Sequence, residues 1–173
     1  MATAEAYRES LLALVGERDP IALLSQTPST LSDIIRTQSA TVLRTRPFEG
    51  KWTPNEIFGH LVDGEWVYGY RLRLVLCEED APILGTKQDA WVLRQHHNDR
   101  EPSEHLAIFR TLRRLNVAVW RQLSPADLTR TGRHNERGAE SLGVMLRMQA
   151  GHDLSHLNQI DRYVRTIRER TRP

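Results

Sequence analysis

The chain has 173 residues, of which 39% are hydrophobic and 27% charged, with a net charge of +2. That composition supports one domain around one core; it excludes wholesale disorder, and no apolar run approaches the ~18 residues of a membrane span. Arg is interspersed with Asp and Glu, which excludes a nucleic-acid stripe, and one cysteine, Cys77, excludes an intrachain disulfide and a thiolate metal cluster.

The first element predicted is a short helix over 4–15, with Leu11, Leu12 and Val15 on one side. Asp19-Pro20 reads as a cap followed by proline at the first helical position, opening a short helix to about Ser25. Thr27-Pro28 repeats the signal and opens a helix to about Arg44. Thr53-Pro54-Asn55-Glu56 is the strongest start in the chain, a complete capping box, and its helix extends to about Cys77. Residues 78–88, with Pro82 and Gly85, are an irregular connection. A short helix follows over about 89–97, then a long one from Ser103 to about Leu123. Ser124-Pro125 marks a turn, and 131–140 reads as a loop. The last helix runs from about Ser141 to Arg168 with one wide apolar stripe. No segment alternates as a strand would.

Four long amphipathic helices with short accessory ones define an all-α four-helix bundle as a single domain over 1–173, with about 1–18 as an N-terminal extension. The longest connection, from about 78 to 102, lies between the second and third long helices and can cross the bundle.

Chemistry concentrates in Gly151-His152-Asp153-Leu154-Ser155-His156. Residues four apart on a helix lie about 40° apart around the axis, so His152 and His156 point the same way, into the apolar stripe. Such a pair is either half of a metal site or a satisfied buried pair. A third imidazole must come from a facing helix. His96 and His97 diverge by about 100° if helical, His134 sits in a loop, and His105 is placed among charged residues as an exposed position would be. His60, near its helix start and bordering the apolar arc, is the best candidate. Gly64, one turn on, either allows close helix packing or clears space over a site. Glu56, Asp63, Ser155 and Gln159 are close enough in sequence to support the imidazoles, although solvated positions suit Glu56 and Asp63 better.

Lys51-Trp52-Thr53-Pro54-Asn55-Glu56 with His60 and Asp63 resembles the W-[ST]-x-x-[ED]-x-x-x-H-x-x-[DE] segment of the DinB-like superfamily. Glu79-Asp80-Ala81-Pro82 with Asp89-Ala90-Trp91 resembles the connection of its bacillithiol-transferase (YfiT-like) branch, with Gln88 in place of the usual Tyr and one residue fewer before the Trp. His134-Asn135-Glu136-Arg137-Gly138 is similar to the H-x-x-x-G loop, and His152–Ile160 to the H-x-x-x-H-x-x-Q-I helix. The resemblance spans roughly 20–165. It implies a DinB-like bundle, often a homodimer, holding a divalent metal, nickel or zinc, on His60, His152 and His156.

It further implies a small-molecule substrate and transfer of a low-molecular-weight thiol to an electrophile, the thiol being activated at the metal. Hydrolysis by metal-bound water and a non-catalytic metal-binding stress protein are the alternatives. The expected address is cytoplasmic, with no nucleic-acid or membrane partner.

Overall fold

The computed structural model describes residues 4–171; residues 1–3 of the expected extension, and Arg172 and Pro173 of the Arg-rich tail, lie outside it. Helix α1 spans Ala4–Val15, α2 Pro20–Thr37, α3 Ala40–Arg44 and α4 Pro54–Cys77. Helices α5 (Gln88–Arg94), α6 (Pro102–Trp120), α7 (Pro125–Leu128) and α8 (Leu142–Arg170) follow. The four long helices are α2, α4, α6 and α8, and they form the four-helix bundle.

Local chemistry sets the helix starts. Thr53 accepts from the Glu56 N–H at 3.0 Å, and Glu56 accepts from the Thr53 N–H at 2.6 Å, closing the predicted capping box of α4. Helix α2, however, runs straight through Pro28 and is one helix where two are expected. Pro28 has no N–H to give the Leu24 carbonyl, which normally ends a helix. Here Arg113 of α6 supplies the missing donor, at 2.7 Å. Ser39 then caps α3 separately, so the break expected near Ser25 falls instead at Gln38–Ser39.

Each long helix has two neighbours: α6 and α8 flank both α2 and α4. Asn55 at the start of α4 donates to the carbonyls of His97, Asn98 and Arg100, just ahead of α6. Further along, Arg113 meets Glu65 and Asn116 meets the Glu65 carbonyl. Helices α4 and α6 therefore run parallel, and the 78–101 connection returns along the whole bundle, as such a length permits. Helix α8 runs antiparallel to α4, because Glu65 meets Gln149 while His60 meets His152.

Three short strands form where loop is expected. Ala81–Ile83 (β1) pairs parallel to Thr131–His134 (β2), which pairs antiparallel to Gly138–Ser141 (β3). Pro82 is tolerated because β1 is an edge. The sheet sits at the end of α4: a Cβ on Gly132 would lie 2.6 Å from Val75, and Arg130 donates to the Val75 and Glu78 carbonyls. Helix α1 packs on α8 closely enough that a Cβ on Gly151 would strike the Leu11 carbonyl.

Between two apolar clusters lies a polar layer that joins all four long helices. Arg113, 2% exposed, donates to Leu24 of α2, Glu65 of α4 and Asp153 of α8. Thr27 also donates to Asp153, and Gln149 and Asn116 donate to Glu65. Arg113→Ala strands two carboxylates and a carbonyl in the core, a loss of about 3–5 kcal/mol. Its melting temperature is expected to fall by roughly 10 °C in a calorimetric scan. Arg165→Ala, which loosens only the exposed pair to Asp161, should move it by less than about 3 °C.

Candidate metal centre

His60 of α4 and His152 and His156 of α8 come together as the spacing requires. His60 Nε2 lies 2.9 Å from His152 Nε2, and His156 Nε2 lies 3.2 Å from the same atom. One ligand nitrogen from each lies within 4.8 Å of the others. Imidazoles sharing one zinc at about 2.0–2.1 Å hold their nitrogens roughly 3.3 Å apart, so the donor set fits a single divalent ion.

The protonation states suit that role. Burial, then the neighbouring His156 and His97, push the His60 imidazole down to about 3. Burial first, then His156 and His60, hold His152 well below the usual range. Burial also lowers His156, against the opposing effect of Gln159 and Asp153. All three are therefore neutral near pH 7 and present lone pairs.

Gln159 selects which nitrogen of His156 is free. Its amide N–H donates to the Tyr163 hydroxyl at 3.0 Å, leaving its carbonyl to accept from His156 Nδ1 at 2.9 Å. The proton thus sits on Nδ1 and the lone pair on Nε2. His152 Nε2 faces two such nitrogens, and one hydrogen cannot serve both contacts well. A cation among the three serves all of them.

Trp52 covers the outer side of the cluster. Its ring centroid lies 4.8 Å from that of His60 and 6.3 Å from that of His156. On the other side a cavity of about 490 Å³ reaches His60 and His152. Gly64 opens its base: a Cβ there would meet His152 Cε1 at 3.6 Å, an ordinary contact, so packing does not require the glycine. Gln88 and Trp91 line the same cavity.

The other candidates resolve differently. Of the residues expected to support the imidazoles, Gln159 does so. Asp63 and Glu56 are buried where solvated positions were expected, and neither bonds to the three. Asp63 accepts from His97 at 2.9 Å and from Gln95 through both oxygens. Glu56 is held by the α4 cap and Arg46. Ser155 has no hydrogen bond to an imidazole among the described residues. His105, expected exposed, is buried and donates to the His97 carbonyl. His96 has a left-handed φ of 53° and is exposed, whereas His97 turns inward against Gly59, where a Cβ would clash with its ring. His134 is buried in β2 and accepts from the Glu136 N–H. Arg71, Arg137 and Tyr7 also line the cavity, and none of them is of a type that commonly ligates a metal. Arg71 is visible in sequence only as a cation on the same helical stripe as His60, Gly64 and Tyr68.

The DinB superfamily model matches residues 23–160. A candidate metal-dependent hydrolase of Oceanobacillus iheyensis is 30% identical over 133 residues, 76% of this chain and 74% of that protein. Another so named, YfiT of Bacillus subtilis, is 24% identical over 82% of each chain. A solved structure of B. subtilis YfiT, described as a probable metal-dependent hydrolase with an unusual four-helix bundle topology, superposes with a TM-score of 0.78. It shares 23% identity, over 95% of this chain and 89% of that one.

Gln159→Ala is expected to weaken zinc or nickel binding about 10–100-fold in a chelator competition titration, because His156 loses the partner that fixes its tautomer. Gln159→Glu keeps the acceptor and should retain most of the affinity. The metal-free protein should also lose stability as the pH falls from about 6.5 toward 3. The unfolded chain takes up protons on these imidazoles in that window, while the fold holds His60 at about 3. Denaturant titrations across the window, compared with His60→Gln, check the sign.

Proposed function

The chain belongs to the DinB superfamily, and we propose that it is a metal-dependent transferase that activates a low-molecular-weight thiol and joins it to a small electrophile. The observation that supports this reading is a cluster of three neutral imidazoles, two of which, His60 and His152, open onto a cavity whose nearest carboxylate in sequence, Asp63, is already held by His97 and Gln95. His60, His152 and His156 would hold zinc or nickel. Such an ion lowers the pKa of a bound thiol toward neutrality and so makes it a nucleophile.

The residues around it do the rest. Gln159 keeps the His156 proton on Nδ1. Trp52 packs against the rings of His60 and His156, and the cavity gives reactants access to His60 and His152. The space above Gly64 admits a ligand next to His152, and Gln88 and Trp91 form a wall against which an electrophile can rest. The sulfur forms a bond to an electrophilic carbon while the leaving group departs with its electron pair.

A hydrolytic reading has the names of the relatives behind it. Attack by water commonly recruits a carboxylate base next to the metal. Asp63, the carboxylate nearest in sequence to His60, is occupied by His97 and Gln95. Glu65 is committed to Arg113. A thiol, more acidic than water to begin with, would release its proton to solvent on meeting the ion without help from a carboxylate, and the thiol reading is favoured on that ground.

Purified protein, metal-free or loaded with zinc or nickel, can be tested with a panel of small thiols and chlorodinitrobenzene. Conjugation is expected only with metal and thiol together, and His152→Ala should lower it at least about 100-fold. Metal-dependent cleavage of esters or amides without thiol would replace this reading with the hydrolytic one. No turnover of either kind would leave a metal-binding protein without catalysis.

A further inference from the structure

Arg71 lies eleven residues after His60 on α4 and lines the same cavity. The two Cα atoms are about 16 Å apart along the helix axis. Arg71 is only 8% exposed. Its guanidinium gives one hydrogen bond to the Leu84 carbonyl, and among the described residues it joins no ion pair.

That isolation is unusual within this protein. Buried Arg113 is matched by Glu65 and Asp153. Arg137, which shares the cavity with Arg71, is clamped by both oxygens of Glu140. Burial lowers the Arg71 pKa by more than Glu140 and Glu136, neither of them in contact with it, raise it, so its desolvation is only partly offset. Tyr68 beside it is neutral, since burial raises its pKa. Glu136 lines the cavity but is exposed, so water screens its charge. The cavity therefore has a cation-seeking end at the imidazoles and an anion-seeking end at Arg71.

We propose that Arg71 recognises a carboxylate on the small molecule that occupies this cavity, whose other end reaches toward His60 and His152. The inference rests on the reading that this cavity is the reaction site. A guanidinium binds a carboxylate through paired N–H donors, and Arg71 has four N–H groups beyond the one given to Leu84. The carboxylate belongs either to the thiol or to the electrophile, and the ligand that spans the cavity is extended.

The test uses full-length protein loaded with cobalt and a series of ω-mercaptoalkanoic acids of increasing length, each beside its uncharged amide. Binding is read from the thiolate-to-cobalt absorption band. The acid should bind about 10-fold or more tightly than the amide at the length that reaches Arg71. Arg71→Gln should bring the ratio to about one, and Arg71→Lys should keep part of it. Equal affinity of acid and amide at every length in the wild type overturns the proposal, as does a ratio unchanged in Arg71→Gln. A second arm needs neither thiol chemistry nor metal: calorimetry of hexanoate and hexanamide with metal-free protein. Arg71-dependent hexanoate binding there sustains the inference even if no thiol binds cobalt and the transferase reading falls. Hexanoate that binds alongside mercaptoethanol places the carboxylate on the electrophile, whereas competition between them places it on the thiol.

Discussion

Arg113 is the group on which the geometry of the bundle depends. A guanidinium carries five N–H donors in a fixed plane. Here the plane touches α2 at Leu24, α4 at Glu65 and α8 at Asp153. Burial pulls its pKa down, but Asp153 and Glu65 more than reverse this, so it stays charged. Apolar packing alone would tolerate small slides of one helix against another. A charged fork with partners on three helices does not, because each displacement would strand a buried carboxylate.

That constraint reaches the three clustered histidines through the chain. Asp153 follows His152 directly, and Glu65 follows Gly64, the residue facing His152. Fixing Asp153 and Glu65 against Arg113 fixes the depth at which α8 meets α4, and with it the meeting of His60 and His152. Gln149 extends the same lock: it donates to Glu65 and accepts from Trp120. Stability and site geometry are thus carried by one network.

Much of this was legible in the sequence. The capping box of α4, the wide stripe of α8 and the four-residue interval between His152 and His156 each have a mechanism that acts locally. The missed features need a partner from elsewhere in the chain. Pro28 reads as a helix start because nothing nearby announces that Arg113 will satisfy Leu24. Strands of three and four residues are too short to show alternation, and Pro82 and Gly132 argue against them until the parallel pairing is known. His105 has charged neighbours in sequence but faces the His97 carbonyl in space. The one available hint of the polar layer was register: Arg113 falls four residues after Phe109 and four before Val117, on the apolar face of α6.

The same register logic distinguishes the two buried arginines. Both interrupt an apolar stripe, and both carry a charge that the core would otherwise reject. Arg113 meets its counter-charges inside the fold, which makes it a structural tie. Arg71 hydrogen-bonds, among the described residues, only to a backbone carbonyl and borders a cavity that ends at His60 and His152. A fold that has neutralised one buried guanidinium so fully has the means to neutralise another. Arg71 keeps no contacting carboxylate among the described residues, and a ligand that brings one would offset the burial that Glu140 and Glu136 offset only in part. The imidazoles repeat this arrangement with opposite sign, as converging lone pairs that favour a cation. Both ends of the cavity are thus incomplete in the folded chain alone, and one bound cation and one extended anion would complete them together.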